Sequence, residues 1–177
     1  GYGGGLDIRD GSAVLLDGVT IANNIATLGA GIYSINGGDH IISNSIIVDN
    51  TGESQLNLGD NVTVDISYSN IAGGLNGGVI WEYTEGLTYV NNIDVDPRFR
   101  DSENGDYNLL ASSLCINSGD PNTQDSDGTR RDMGAYPYLV GHDGSTGWYV
   151  SITGNDSTGT GLESNSFGSI QAALNFA

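Results

Sequence analysis

Lysine is absent from the 177 residues, and Arg9, Arg98, Arg100, Arg130 and Arg131 are the whole cationic set. Against 22 acidic residues they leave a net charge of −17, a field that repels phosphate backbones and excludes nucleic-acid binding. An anionic membrane surface is disfavoured for the same reason. No apolar run approaches the ~20 residues of a membrane span, so membrane insertion is not expected either. A single cysteine, Cys115, rules out an intrachain disulfide. It reads as a small buried hydrophobe, since neither His40 nor His142 stands in a nucleophile motif. Helical signal is scarce: only Phe167 to Ala177 reads as helix, with Phe167, Ile170, Ala173, Leu174 and Ala177 on one face. That leaves α/β and all-α folds without support. The chain opens Gly1-Tyr2-Gly3, with neither Met nor a signal peptide, and reads as a processed or excised piece of something longer.

What is present is glycine, 28 residues of it, together with short aliphatic runs such as Ile41-Ile42, Ile46-Ile47-Val48 and Val62-Thr63-Val64-Asp65-Ile66. These runs are strand-like, and turn residues bound each of them. Self-comparison shows a repeat. Asp17-Gly18-Val19, Asn44-Ser45-Ile46 and Ser69-Asn70-Ile71 line up at nearly constant spacing, and Val14, Ile41 and Ile66 follow at the same offsets. Gly5-Leu6-Asp7-Ile8 recurs one period on as Gly31-Ile32-Tyr33-Ser34, and Leu56-Asn57-Leu58 follows after a similar interval. A unit of about 25 residues with two or three short strands cannot bury its own apolar face, whereas stacked units bury a continuous column. The pattern predicts an all-β chain, a right-handed parallel β-helix solenoid with one short C-terminal capping helix. Val19, Ile46 and Ile71 are expected to form one inward column, and Leu6, Ile32 and Leu56 or Leu58 a second. Asn24, Asn50 and Asn70 suit left-handed corners and a partial amide ladder. A leucine-rich repeat is a poorer fit, because later units break the Leu16-x-x-Val19-x-Ile21-x-x-Asn24 pattern and no helix follows.

The stretch from Gly3-Gly4-Gly5-Leu6-Asp7-Ile8 to Asn23-Asn24 resembles coils of bacterial right-handed parallel β-helix repeat proteins, the pectin-lyase-like surface and secreted proteins. A second block resembles the segment that closes such β-helices. It runs Asp96-Pro97-Arg98-Phe99, Gly105-Asp106-Tyr107-Asn108-Leu109, Ser113-Leu114-Cys115-Ile116-Asn117-Ser118-Gly119, Asp125-Ser126-Asp127-Gly128 and Arg131-Asp132-Met133-Gly134-Ala135-Tyr136, with Leu114 where proline is expected. A third, Tyr149-Val150-Ser151 with Gly154-Asn155-Asp156-Ser157 and Phe167-Gly168-Ser169-Ile170-Gln171-Ala172-Ala173-Leu174, looks like the opening of one. The resemblance implies coils over 1–93, a closing block over 94–140, a linker over 141–147 and an opening or capping strand and helix over 148–177. Phe99, Tyr107, Leu109, Cys115 and Ile116 are expected to cover the end of the coil stack. About thirty residues cannot build a core unaided. The last segment is therefore expected to dock on a neighbouring copy through Tyr149, Val150, Ile170 and Leu174, meeting Leu6 and Ile8 of its first coil.

No catalytic constellation converges. A uronate lyase needs cations to take a proton and neutralise a carboxylate, and four of the five arginines lie in the closing block. A glycosidase needs two carboxylates at a set separation; Asp7, Asp17, Asp39, Asp49 and Asp65 are spread along the coils, and Trp81 and Tyr83 are the aromatics that would stack on a sugar. Asp125, Asp127 and Asp132 have the oxygen density of a calcium loop without EF-hand spacing. The expectation is a non-catalytic structural or adhesive module of a bacterial surface or secreted protein, self-associating head to tail into a filament, with calcium as the candidate ion. The alternative is an acidic-polysaccharide lyase or hydrolase, or a carbohydrate-binding β-helix.

Overall fold

The computed structural model describes residues 1–81, 86–140 and 147–177. Tyr83, His142 and all of the expected linker but Gly147 lie outside them. The chain divides into two compact units, Gly1–Val95 and Asp96–Ala177.

The first unit is a parallel β-solenoid. Coil 1 carries β1 (Leu6–Ile8), β2 (Val14–Asp17) and β3 (Thr20–Ala22). Coil 2 carries β4 (Ile32–Ser34), β5 (Gly38–Ser43) and β6 (Ile46–Val48), and coil 3 carries β7 (Leu56–Leu58), β8 (Val62–Ser67) and β9 (Asn70–Ile71). Strands β10 (Val79–Trp81) and β11 (Leu87–Val90) extend the ladders beyond the third coil. Corresponding strands stack in parallel into sheets ordered β1-β4-β7-β10, β2-β5-β8-β11 and β3-β6-β9.

Register fixes which residues look inward. Leu6, Ile32, Leu56 and Val79 share one column, as expected for the first three. Ile21, Ile47 and Ile71 share another. Leu16, Ile42, Ile66 and Tyr89 form a third. All pack into a single core in which Ile47, Leu56, Ile66 and Ile71 are wholly buried. The expected column Val19–Ile46–Ile71 does not form. Ile46 pairs with Thr20 and Asn70, one position out of step with Ile71. The Val14–Ile41–Ile66 alignment fails in the same way: Val14 pairs with His40, while Ile41 pairs with Leu15 and both are exposed. Side chains alternate faces along a strand, so a slip of a single position exchanges inside for outside. Aligning turn residues caused the slip, because Asn44 occupies the corner position of Gly18, with φ of 50° and 65°. The same corner is left-handed at Tyr68 and Asn91.

Polar ladders line the corners. Asn24 donates from its backbone and its amide to Asn50 Oδ1 at 3.0 and 2.9 Å. Asn50 in turn donates to Gln55 Oε1 at 2.8 Å, so the ladder continues into Gln55 rather than the expected Asn70, which bonds Val95 instead. Gly31 allows this close approach, since a Cβ there would lie 2.7 Å from the Gln55 carbonyl. A second ladder was not expected: Val19 N donates to Ser45 Oγ, Ser45 N to Ser69 Oγ and Ser69 N to Asn92 Oδ1, at 3.1, 3.1 and 2.9 Å.

The coils shorten along the stack. The three bonds of the serine ladder span sequence separations of 26, 24 and 23 in turn. Two corners keep their length. The step from Ile8 to Val14 is repeated unchanged from Ser34 to His40, Leu58 to Val64 and Trp81 to Leu87. The step from Leu16 to Ile21 is likewise repeated from Ile42 to Ile47 and from Ile66 to Ile71. The third corner absorbs all the variation: Ile21 to Ile32 is its longest form, Ile47 to Leu56 is shorter and Ile71 to Val79 is shortest.

The second unit has little regular structure. Antiparallel β12 (Phe99–Asp101) and β13 (Asp106–Leu109) pair, with Phe99 and Tyr107 meeting edge to face at 5.2 Å. Leu109, Cys115 and Ile116 are buried, and Cys115 forms no intrachain disulfide. The closing block and the last segment share one core: Ala111 and Val140 of the former pack with Phe167 and Ala172 of the latter, flanked by Tyr138, Trp148 and Phe176. Helix α1 (Ile170–Asn175) is capped by Ser169, whose Oγ accepts from Ala172 N at 3.2 Å. Its inward face is Ala172 and Ala173 rather than Ile170 and Leu174. Phe167 lies before the cap, so it does not share the helical face assigned to it from the sequence.

Candidate functional site

Two places in the chain gather the residues singled out from sequence. The first is the acidic loop of the second unit. Asp132 is only 2% exposed, and its two oxygens accept from Asn117 N and Tyr138 N, both at 2.7 Å. Its own N–H donates to Asp125 Oδ2 at 2.7 Å. Asp127 accepts from Thr129 N and Oγ1 on one oxygen and from Val140 N on the other, at 3.1, 2.7 and 2.9 Å. The three carboxylates therefore come together, but as acceptors for backbone donors that the short Gln124–Arg130 bridge of this loop does not satisfy. Burial pushes the Asp132 carboxyl up to about 7; the two backbone N–H groups pull the other way, and Asp125 and Asp127 add to the rise. Burial also raises Asp125, while the bonds from Thr129 and Val140 outweigh burial at Asp127 and lower it. Among the described residues no group of three or more His, Cys, Asp or Glu is arranged to hold a metal ion. A cation here would have to displace the N–H groups that close the loop.

From this loop a chain of amides runs to the C-terminal helix. Asn117 Nδ2 donates to Asn175 O at 2.6 Å, and Asn175 Nδ2 donates to the carbonyls of Ala111 and Ser113 at 2.8 and 2.7 Å. Asn117 and Asn175 were not singled out from sequence; one asparagine among many carries no signal until its partners are known.

The second place is the set of expected contact residues. Tyr149 and Val150 are 46% and 41% exposed, and Ile170 and Leu174 are 71% and 62% exposed. Val150 pairs with Phe167, Tyr149 N donates to Gly161 O and Ser151 N to Phe167 O, so this short strand is held within its own unit. A cleft of about 370 Å³ lies beside it, lined by Tyr149, Asn155, Glu163 and Asn165 among others. In coil 1, Leu6 is half-buried and Ile8 belongs to the core. The strands β1, β2 and β3 each end their sheet, with no further strand beside them among the described residues. Leu15 and Ile25 project from this coil, 68% and 79% exposed.

Three of the carboxylates weighed for glycoside chemistry are already engaged by neighbouring side chains. Asp7 pairs with Arg9 at 2.9 Å, Asp17 accepts from Ser43 and Asn44, and Asp39 accepts from Thr63. Trp81 packs against the solenoid core rather than standing free as a sugar platform. No protein-family model, curated protein or solved structure matches the chain.

Proposed function

We propose that this chain is a non-catalytic structural or adhesive module of a secreted or surface-exposed bacterial protein of the pectin-lyase-like β-helix kind, and that it associates head to tail with copies of itself. What supports the reading is that, among the described residues, three parallel sheets end together on β1, β2 and β3. Edge strands present backbone donors and acceptors that another chain can pair with. Exposed Ile170, Leu174, Tyr149 and Val150 supply apolar surface outside the second unit's core. A contact of this heterologous type that does not close into a ring propagates as a filament. Calcium at Asp125, Asp127 and Asp132 is not part of this proposal, because their oxygens already serve backbone N–H groups.

The test is sedimentation of the full chain across a concentration series. Asp7 alternates with Leu6, whose N–H donates inward to Gly31 O, and Ile8, whose carbonyl accepts from Ile35 N. Asp7→Pro, combined with Leu15→Lys, therefore blocks the outer edge without removing a ladder bond. Assembly that rises with concentration and is lost in this double variant supports the reading. A wild-type chain that stays monomeric, or a variant that assembles equally well, overturns it. Turnover of a uronate polymer would favour the polysaccharide-enzyme alternative.

A further inference from the structure

One residue of the solenoid core breaks the aliphatic pattern. His40 stands in the inward column between Val14 and Val64 and is 4% exposed. Its Nε2 lies 2.7 Å from Ser34 Oγ, while Nδ1 is buried with no hydrogen-bond partner. A neutral imidazole tolerates this, because one nitrogen is a bare acceptor. An imidazolium carries two N–H donors, and Ser34 can accept only one of them.

Among the described residues no counter-charge waits for the second. Coil 1 presents Val14 from β2 and Ile8 from β1, β4 presents Ser34, and β8 presents Val64. Among the described residues the one charged group that acts on the ring is Asp39, the preceding residue, whose side chain points outward and accepts from Thr63. Coil 1 packs over the face of coil 2 that holds His40, and its inward residues Leu6, Val14, Leu16 and Ile21 are only partly buried.

We propose that His40 is an acid-sensitive latch, whose protonation opens coil 1 away from coil 2 and exposes the ladder of β4, β5 and β6. Burial lowers the affinity of the ring for a proton, with Asp39 opposing weakly. The folded value thus lies below the unfolded one. The stability this neutral ring permits is full above the ordinary histidine value of about 6.5 and is lost as pH falls beneath it. The opening is local, since neighbouring coils can part without melting coil 3.

Hydrogen exchange on the full chain, corrected for intrinsic rates, tests this at pH 7.5 and 5.0. Amides of β2 and β5 should lose protection by about tenfold at the lower pH in the wild type. They should keep it in His40→Val, which continues the Val14–Val64 column. The wild-type minus variant difference cancels other titrating groups, Asp132 included. Independently of whether the variant folds, the His40 ring signal in the wild type should show a neutral imidazole persisting below the pH at which a free histidine charges. A ring that titrates like free histidine, unchanged wild-type protection at pH 5.0, or equal loss in both proteins overturns the latch.

Discussion

In the solenoid unit, the backbone donors of Val19, Ser45 and Ser69 each meet a side-chain acceptor one coil on, at separations of 26, 24 and 23 in sequence, and the same bond recurs along the stack. In the second unit the acceptors for Asn117, Tyr138 and Val140 are single carboxylate oxygens of Asp132 and Asp127, and none of these bonds recurs. Repetition shares the cost of a poor local contact over neighbouring coils. A one-of-a-kind staple concentrates it, so the same type of lesion should hurt the two units unequally.

Removing a large core side chain sets the scale. Phe167→Ala should destabilise the second unit by roughly 3–5 kcal/mol, since Phe167 is wholly buried between Trp148 and Phe176. Ile47→Ala in the solenoid should cost roughly 2–5 kcal/mol, within reach of partial relaxation along the column. Denaturant unfolding read through the amides of each unit measures both. Comparable losses would show that repetition gives no cushioning.

Next in size is the pH response of the second unit. The folded state holds the Asp132 proton up to about 7, whereas the unfolded chain releases it near 3.8. Stability is therefore greatest at acid pH and falls as pH rises from about 4 through about 7, by roughly 2–4 kcal/mol. Exchange at the Asn117 and Tyr138 amides should follow that fall, and Asp132→Asn should flatten it. The solenoid runs the other way through His40, so opposite slopes in the two units sharpen the contrast, and parallel slopes would erase it.

Smaller effects belong to the corners. Ser69→Ala leaves the Ser45 N–H without its acceptor in a buried ladder and should cost roughly 1–2 kcal/mol by thermal unfolding. Tyr68 holds φ of 49° at the corner where other coils have Gly18, Asn44 and Asn91. Tyr68→Asn should raise stability by roughly 0.5–1 kcal/mol, because Asn tolerates this backbone better. A destabilised variant would mean that the half-buried ring outweighs the strain.

The contrast also explains what was legible beforehand. The Leu6–Ile32–Leu56 column could be read because Gly5 and Gly31 precede its first two members and mark the same corner. The Val19–Ile46 alignment went astray because turn spelling is a weaker guide than the inward face. Ser45 and Ser69 look like loop composition until a backbone donor is found above each. Asp132 stood out as an acid near other acids, yet its partners Asn117 and Tyr138 lie 15 and 6 residues away with nothing in the sequence to join them. His40 was visible only as a lone histidine.

The unequal third corner carries a consequence for how such a chain can vary. Because the other two corners are locked in length, an insertion there would throw every following side chain onto the wrong face. The stretches from Ile21 to Ile32, Ile47 to Leu56 and Ile71 to Val79 already differ in length without moving the columns. They form a single seam down one side of the solenoid where length can change while the Asn24–Asn50–Gln55 contacts within it are kept. A peptide spliced there is displayed at the spacing of the coils, while the rest of the perimeter stays under strict length control.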